Sequence, residues 1–207
     1  MAALLPDSVP WRAPDNVTIY GLGYKRGSGK DTVADMIVEA QVPETKVIRI
    51  AFADTLKEAC KSLFGFSHGQ VYDQEKKEQV DHRWGVTPRQ ALQWVGTDCI
   101  RNNLHPSFWV MAARNRIIGE IGDTEGPVCV VVTDVRFPNE VDAIHEWGGD
   151  VWNVRRQSVI DAERSAPHAP HRSETALDDW VEWEFVLEND GSLDDLRTNV
   201  VARLSAS

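Results

Sequence analysis

The sequence has little cysteine: three residues among 207, Cys60, Cys99 and Cys129, widely spaced and without a CxxC pair. An odd, scattered set excludes a disulfide framework and a cysteine-based zinc site, so we expect reduced thiols in a cytoplasmic protein. No apolar run approaches the ~20 residues that span a bilayer, so no membrane partner is expected. Residues 1–15 lack the basic start and apolar stretch of a signal peptide and are expected to form a loose leader.

Basic residues are also scarce. Lysine and arginine number 22 against 32 aspartates and glutamates, which gives a net charge of −10. That average field repels a duplex, so we expect no polymeric nucleic acid as a partner. A small phosphorylated ligand is compatible with it, because a few arginines in a cleft suffice. The length and the 42% hydrophobic content predict one globular domain, with room for an inserted subdomain or lid.

Short apolar runs alternate with helical periodicity along the chain. The predicted strands are 17–23, 46–52, 128–133, 150–154 and 182–187. The predicted helices are 31–40, 53–64 with Gly65 as its cap, one opening at Thr87-Pro88 and turning at Gly96, 109–121, 138–147, and 192–204. Residues 67–81 are polar and poorly patterned, which predicts either a loop or a mobile helix, and residues 157–179 are polar and rich in arginine, histidine and proline. This alternation predicts a parallel sheet with helices on both faces, whose ligands bind beyond the carboxyl ends of the strands.

The strongest candidate site lies between the first strand and the first helix, in the run GYKRGSGKDT from Gly23 to Thr32. Glycines let backbone N–H groups turn toward an anion, and the following helix adds the positive end of its dipole. Lys30 is expected to reach the β- and γ-phosphates of a nucleotide, and Thr32 to offer a hydroxyl to Mg²⁺. The spacing is unusual, because five residues separate Gly23 from Gly29 and Tyr24 occupies the expected glycine position. A glycine-rich turn without a ligand is the alternative interpretation.

A second candidate follows the most continuous apolar run, VCVVVT at residues 128–133. Asp134 stands at the carboxyl end of this predicted strand, where a carboxylate can hold Mg²⁺ directly or through water. Arg136 follows two residues later and could meet the transferring phosphoryl group. The alternative is an aspartate that caps the next helix and an arginine in a surface ion pair.

Two further polar segments are weaker candidates. In RQALQWVGTD, residues 89–98, Arg89 and Gln93 share one helical face and could bind a phosphate and a base edge. A solvated polar face is the simpler interpretation of that helix taken alone. The segment 155–174 is rich in arginine and histidine, and arginines that close over phosphates exclude water and stabilise charge. A solvated loop is the equal alternative.

The tryptophans are numerous, and most of a set of six fall in patterns typical of a core: Trp84, Trp94, Trp109, Trp147, Trp152 and Trp183. Trp109 and, less firmly, Trp94 are the candidates for stacking on a ligand. His171 and Glu174 could suggest a metal pair, but further ligands are missing from the pattern, so no zinc site is assigned.

Six stretches occur together in one order. They are KRxSGKDT from Lys25 to Thr32, ADTLK at 53–57, RQALQxxGTD at 89–98, the Asn-Asn…Phe-Trp-Val run at 102–110, VTDxR at 132–136 and ENDGSL at 188–193. In this combination the chain resembles the deoxynucleoside monophosphate kinases of tailed bacteriophages and, more distantly, the phosphomevalonate kinases of animals. The resemblance extends from Val17 to the end of the sequence, and in it Gly27 looks like a one-residue insertion in the phosphate loop.

The resemblance implies a P-loop kinase fold: an α/β three-layer sandwich with a five-stranded parallel sheet and a mobile lid. It implies transfer of the γ-phosphoryl group of ATP, with Mg²⁺, to a deoxynucleoside 5′-monophosphate, and small-molecule nucleotides as partners. It also implies a homodimer that works in the host cytoplasm if it is phage-encoded. Within a kinase domain at 16–207, residues 66–110 would bind the monophosphate and residues 155–175 would form the lid.

The resemblance also assigns three sets of side chains. The reacting centre would contain Lys30, Asp134 and Arg136, with Thr32 and Asp134 toward Mg²⁺. The ATP side would comprise Lys25, Arg26, Gly27, Ser28, Gly29, Lys30, Asp31, Thr32, Arg156 and Asn189. In this set Lys25 and Arg26 would lie over the phosphates and Asn189 near the adenine of ATP. The monophosphate side would comprise Lys57, Arg89, Gln93, Trp94, Gly96, Thr97, Asp98 and Trp109.

Two other functions stay open at this stage. One is a nucleotide-binding module that senses or switches and transfers nothing, for which a second anion site at Lys57 and Arg89 would be unnecessary. The other is a kinase for a different small phosphate, such as phosphomevalonate. Trp109 and Gln93 suit a nucleobase and argue mildly against that alternative.

Overall fold

The computed structural model describes residues 10–165 and 171–206. Residues 1–9 of the predicted leader and residues 166–170 of the predicted lid lie outside the described residues. The chain divides into two compact units: one contains Phe52–Asn115, and the other contains Pro10–Ala51 and Arg116–Ser207. The segment 66–110 lies within the first unit, and its role as a monophosphate-binding insert stays a prediction.

The second unit contains the sheet. Its strands are β1 (Val17–Gly23), β2 (Lys46–Ile50), β3 (Val128–Val135), β4 (Asp150–Arg155) and β5 (Phe185–Glu188). They lie in the order β2-β3-β1-β4-β5, and every neighbouring pair is parallel. The predicted five-stranded parallel sheet is thereby confirmed. The interior strands β1 and β3 are almost continuously apolar, as expected for strands that are covered on both faces.

Helices cover both faces of this sheet. The helices of this unit are α1 (Lys30–Glu39), α6 (Pro138–Glu146), α7 (Gln157–Arg164), α8 (Arg172–Thr175) and α9 (Leu193–Ser205). One face packs Leu22 and Trp152 of the sheet against Ile37 of α1 and Leu196 of α9. The opposite face receives α6, where a Cβ on Gly21 would stand 2.6 Å from Ile144. The close approach of α6 therefore requires glycine in β1, and the sheet is the middle of three layers.

The unit Phe52–Asn115 is helical. It contains α2 (Asp54–Phe64), α3 (His68–Tyr72), a 3₁₀ turn at Lys76–Glu78, α4 (Pro88–Gln93), a π-helical stretch at Trp94–Arg101, and the first part of α5 (Phe108–Ile121). Gly65 ends α2 with φ of +65°, as predicted. Thr87 caps α4 in a reciprocal pair with Gln90, and Pro88 occupies the first turn, which confirms the predicted start of this helix.

Residues 67–81 contain α3, which Ser67 caps through a reciprocal pair with Gln70, so a helix, one of the two structures predicted for this segment, is present there. Four other features differ from the sequence predictions. The polar segment 157–179, for which no helix was predicted, contains α7 and α8. The chain does not turn at Gly96 but continues as π-helix to Arg101. The fifth strand begins at Phe185 rather than at residue 182, since the backbone N–H of Trp183 donates to the Val181 carbonyl oxygen within a local turn. Of the tryptophans expected in the core, Trp84 and Trp94 are exposed. Within the described ranges, no helix is both long and apolar enough to cross a membrane.

Candidate active site

The loop between β1 and α1 has the backbone of a phosphate-binding loop. Tyr24, Gly27 and Gly29 have φ of +88°, +78° and +98°, so the chain reverses repeatedly in the left-handed region. Among the described residues, Tyr24 is the only non-glycine with positive φ, a conformation that costs about 1–3 kcal/mol. Tyr24 thus adopts the conformation of the glycine it replaces. Counted from Tyr24, the usual four residues precede Gly29-Lys30, and Gly27 is one of those four rather than an insertion.

Lys30 lies inside this loop and is only 8% exposed. Its Nζ donates hydrogen bonds to the backbone carbonyl oxygens of Tyr24 at 3.2 Å and Lys25 at 2.5 Å. Burial, and after it the nearby Arg136 guanidinium, lower the pKa of Lys30 from its ordinary value to about 7. Uncharged carbonyl oxygens offset only part of the cost of burying an ammonium group. A bound anion would stabilise the protonated form of Lys30 and so raise its pKa again.

The end of β3 lies beside the loop. The register of β1 on β3 places Gly23 opposite Val135, between the two candidate residues Asp134 and Arg136. Arg136 lowers the pKa of Lys30, whereas Asp134 and Glu174 raise it, so these charged groups act on one another. The structure therefore brings the predicted reacting centre together.

Asp134 is not needed as the cap of the following helix. The carboxylate of Glu140 accepts hydrogen bonds from the backbone N–H groups of Arg136 at 2.8 Å and Phe137 at 3.1 Å. Glu140 is buried and begins α6 by this contact, which is the role that the alternative interpretation gave to Asp134. The Arg136 guanidinium donates to the Glu174 carboxylate at 2.7 Å, so its ion pair is part of the site rather than of the outer surface.

Asn189 holds the phosphate loop from the turn after β5. Its Nδ2 donates to the Ser28 carbonyl oxygen at 2.8 Å, and its backbone N–H donates to the backbone carbonyl oxygen of Arg155 at 2.7 Å. A Cβ on Gly29 would stand 2.3 Å from that Nδ2. The hydroxyl of Ser28 is buried without a hydrogen-bond partner among the described residues, so it retains a donor for a ligand. The contact of Asn189 with the adenine of ATP stays a prediction.

Lys25 differs most from its expected role over the phosphates. It is 5% exposed and forms ion pairs with Glu163 of α7 at 2.7 Å and with Asp178 at 2.5 Å. Burial alone would lower the pKa of Lys25, but the hydrogen bonds that its ammonium donates to the carboxylates of Asp178 and Glu163 outweigh burial and raise the pKa above its ordinary value. The side chain is thus engaged by the segment that follows β4.

Other residues predicted on the ATP side are more open. The Asp31 carboxylate accepts a hydrogen bond from Arg49 of β2 at 2.8 Å, so it stabilises the junction of α1 with the sheet. Arg26 and Arg156 are both exposed, and Arg156 is the residue that precedes α7. Thr32 is half-buried in the first turn of α1.

The residues present can bind Mg²⁺ only together with oxygens from the phosphates of a bound nucleotide. Across residues 10–165 and 171–206, no group of three or more histidine, cysteine, aspartate or glutamate side chains could cage a metal ion. Mg²⁺ commonly keeps several waters and binds one or two protein oxygens together with substrate phosphates. The hydroxyl of Thr32 and the carboxylate of Asp134 suit that pattern.

The predicted monophosphate residues lie in the unit Phe52–Asn115, where each cation has an acidic partner. Lys57 contacts Asp54 at 3.3 Å and lies over the ring of Tyr72 at 4.6 Å. Arg89 is half-buried and contacts Glu78 at 2.5 Å. A phosphate that bound here could replace these carboxylates as the partner of Lys57 and of Arg89.

Some of the remaining candidates for monophosphate binding are buried in the helical unit, and the others are exposed or half-buried. Trp109 is 6% exposed, and its Nε1 donates to the Gly96 carbonyl at 2.8 Å, while a Cβ on Gly96 would stand 2.5 Å from Leu56. These residues are internal supports of the helical unit, and Thr97 is buried with them. Trp94 is 57% exposed. Gln93 is half-buried and Asp98 is exposed.

Glu163, Glu174 and Asp178 were not predicted to take part in the site. They contact Lys25 and Arg136 across intervals of up to 153 residues, and no local pattern marks such partners. Trp183 was expected only as a core residue; its ring packs edge-on against Tyr24 at 6.4 Å. The one signal in the sequence that could have indicated these partners is the presence of acidic residues in and just after the otherwise basic segment 155–174.

Comparison with known families agrees with this geometry. The model of the deoxynucleotide monophosphate kinase family matches residues 46–200. The chain belongs to this family. Membership makes it a nucleotide kinase, an enzyme that transfers a phosphoryl group from ATP. The matched range begins after the phosphate loop, so the role of the loop rests on the geometry described above.

Individual relatives are similar over different lengths. A candidate deoxynucleotide monophosphate kinase of Acanthamoeba polyphaga mimivirus is 34% identical over 90% of this chain and 95% of its own length. The deoxynucleoside-5′-monophosphate kinase of Escherichia phage T5 is 29% identical over 56% of this chain, which spans about half (46%) of that protein. Among solved structures, the dephospho-CoA kinase of Campylobacter jejuni matches 92% of this chain and 97% of its own, at 13% identity and a TM-score of 0.44.

Proposed function

We propose that this kinase transfers the γ-phosphoryl group of ATP to a deoxynucleoside 5′-monophosphate and so forms a deoxynucleoside diphosphate and ADP. The observation that carries the proposal is Lys30, held inside the loop by the Tyr24 and Lys25 carbonyls beside Asp134 and Arg136. The nature of the acceptor is supported by the names of the relatives.

The donor side follows from the loop. Its backbone N–H groups and the N-terminus of α1 would bind the β- and γ-phosphates, and Lys30 would contact them as a cation. Mg²⁺, held by Asp134 and Thr32 together with phosphate oxygens, would neutralise charge on the β- and γ-phosphates. Arg136 would exchange the Glu174 carboxylate for the transferring phosphoryl group, because a guanidinium binds phosphate oxygens bidentately.

The acceptor side would use Arg89 and Lys57. An oxygen of the acceptor phosphate attacks the γ-phosphorus, the bond from that phosphorus to the bridging oxygen breaks, and ADP leaves with the bond electrons. The loose transition state needs little covalent help from the protein, so alignment and charge stabilisation supply most of the rate.

A substrate panel tests the proposal. ADP formation from ATP and Mg²⁺ is measured with each deoxynucleoside and ribonucleoside monophosphate in turn, and with phosphomevalonate. We expect ADP with at least one deoxynucleoside monophosphate and none above background with phosphomevalonate. ADP that forms only with phosphomevalonate, or at the same rate without an acceptor, would contradict the proposed acceptor.

The assembly is a separate proposal. We infer from the resemblance to phage kinases that the protein is a homodimer, and sedimentation of the purified chain tests this directly. A single species near the monomer mass of 23.2 kDa would contradict it.

A further inference from the structure

We propose that Lys25 is a positioning residue: Glu163 and Asp178 hold its side chain away from the nucleotide, and it affects ATP only by fixing the loop that holds Lys30. The inference rests on the proposed function, since it assumes that ATP binds this loop. It replaces the role over the phosphates that the resemblance to the phage kinases implies for Lys25.

The hydrogen-bond donors of Lys25 are fully used by the protein. An ammonium group has three N–H donors and no acceptor. Nζ of Lys25 contacts Glu163 Oε2 at 2.7 Å, Asp178 Oδ1 at 2.5 Å and the backbone oxygen of Glu174 at 3.0 Å. All three partners belong to the segment that follows β4. A phosphate oxygen would therefore have to displace a partner that is already in place.

The local charge also disfavours a phosphate at Lys25. Two carboxylates face one ammonium, so the cluster carries a net negative charge; the Lys25 side chain is 6% exposed, and those of Glu163 and Asp178 are 23% and 42% exposed. A phosphate brought to this position would meet Glu163 and Asp178 at close range, and like charges repel one another. Lys30 has the opposite surroundings, because its two hydrogen-bond acceptors are uncharged carbonyl oxygens. Of these two lysines, Lys30 is the one placed for an anion.

By anchoring the loop, the Lys25 side chain fixes the backbone carbonyl groups that hold Lys30. The carbonyl oxygens of Tyr24 and Lys25 are the two acceptors that hold Lys30. Tyr24 has a strained φ of +88°, and such conformations persist only where neighbouring contacts fix them. The Lys25 ion pairs fix the loop on one side, and the edge-on contact of Trp183 with the Tyr24 ring fixes it on the other. Release of Lys25 would let both carbonyls turn away from Lys30.

A double-mutant cycle separates this role from direct phosphate binding. The ATP dissociation constant is measured for wild type, Lys25→Met, the pair Glu163→Gln with Asp178→Asn, and the triple variant. We expect the paired variant to bind ATP more weakly by roughly tenfold, like Lys25→Met, because either change releases the anchor. We expect Lys25→Met to add less than about threefold in the paired background, where the anchor is already absent.

Direct phosphate binding gives the opposite results. The paired variant would then bind ATP as tightly as wild type or more tightly, because Lys25 would be free to reach the phosphates. Lys25→Met would cost the same factor in both backgrounds. Either result would overturn the proposal. The paired variant decides the matter on its own if Lys25→Met fails to fold, since it retains the lysine.

Steady-state kinetics exclude a general loss of structure. In the paired variant we expect the KM for ATP to rise while the KM for the monophosphate stays within about twofold of wild type. A parallel rise of both values would make the ion pairs merely structural and contradict a positioning role. The matched control is Arg197→Met, which removes an exposed ion pair of α9 with Glu39 at 2.6 Å and should leave ATP binding unchanged.

The two proposals fail in distinguishable ways. If wild type binds no ATP, the proposed function is wrong and the role of Lys25 falls with it. If wild type binds ATP, Lys30→Ala abolishes that binding, and the cycle is additive, the proposed function stands and only the positioning role of Lys25 is wrong.

Discussion

The side-chain amide of Asn189 donates to the carbonyl oxygen of Ser28 at 2.8 Å and thereby joins the turn after β5 to the phosphate loop, 161 residues away in sequence. The contact is possible because residue 29 is glycine: a Cβ there would stand 2.3 Å from the Asn189 nitrogen. The φ of +98° at Gly29 excludes most other residues for a second reason.

Gly29→Ala should therefore damage ATP binding through both the clash and the backbone strain. A strained φ costs about 1–3 kcal/mol, so we expect the KM for ATP to rise roughly 5- to 150-fold. Asn189→Ala in the same chain should recover part of the loss by removing the clash. The control is Gly119→Ala in α5, where a Cβ would meet nothing within 4 Å and the KM should not change. A Gly29→Ala enzyme with wild-type kinetics would show that the loop does not hold ATP.

The pKa of Lys30 predicts a pH dependence of ATP binding. Its ligand-free pKa is about 7, and phosphates bind the protonated form. As the pH rises from 7.5 to 9, a falling fraction of the free enzyme is protonated at Lys30, so the dissociation constant for ATP should rise by roughly 25-fold. In Lys30→Arg the cation persists at these pH values, so any remaining binding should be nearly independent of pH. Calorimetric titration at saturating Mg²⁺ measures both, and a flat wild-type profile would contradict the account.

Stability gives an independent check on the same group. The folded pKa of Lys30 lies below its ordinary value of 10.5, so between pH 7 and 10.5 the unfolded chain binds more protons than the folded chain. The free energy of unfolding of the wild type, relative to that of Lys30→Met, should therefore rise with pH over this window. Denaturant titrations at pH 7 and 9 measure the difference, and an unchanged or falling difference would mean that Lys30 is not desolvated.

Asp134→Asn tests the metal contact. The amide keeps the shape of the carboxylate but loses the charge that attracts Mg²⁺, so we expect the half-saturating Mg²⁺ concentration to rise and activity at low Mg²⁺ to fall at least tenfold. Asp142→Asn, an exposed change in α6, is the matched control. Identical Mg²⁺ titrations for wild type and Asp134→Asn would remove Asp134 from the reacting centre.

Arg89→Ala tests the acceptor side. Loss of a charge-assisted phosphate contact should cost about 2–3 kcal/mol, or roughly 30- to 150-fold in the KM for the monophosphate, with little change in the KM for ATP. Glu78→Gln provides the complementary test, because it removes the carboxylate that now holds Arg89 and should leave the monophosphate KM equal or lower. If the two KM values rise together in Arg89→Ala, the arginine supports the fold instead.

The sheet was predictable because each strand is marked locally. The runs at 17–23 and 128–133 are apolar and end in glycine or polar residues, and the caps at Thr87 and Ser192 have their signatures within four residues. The phosphate loop was predictable for the same reason, since the strand, the turn and the helix are contiguous.

The partners of the site cations could not be predicted in this way. Lys25 and Arg136 contact carboxylates far along the chain, in α7, α8 and at Asp178, within a segment that is rich in polar residues. Only the tertiary fold decides whether a lysine in a phosphate loop meets a phosphate or a carboxylate. The left-handed backbone conformation of Tyr24 could not be predicted either, because sequence propensity assigns that conformation to glycine.

The most direct test of the central claim is ADP formation from ATP and a deoxynucleoside monophosphate, measured for wild type and Lys30→Ala at equal concentration, with melting curves to confirm that both are folded. Removal of a preorganised phosphate contact costs on the order of 100-fold or more in turnover, so the account predicts a folded variant with less than about 1% of wild-type activity. A folded Lys30→Ala enzyme that keeps more than about a tenth of wild-type turnover would show that this loop is not the site of phosphoryl transfer.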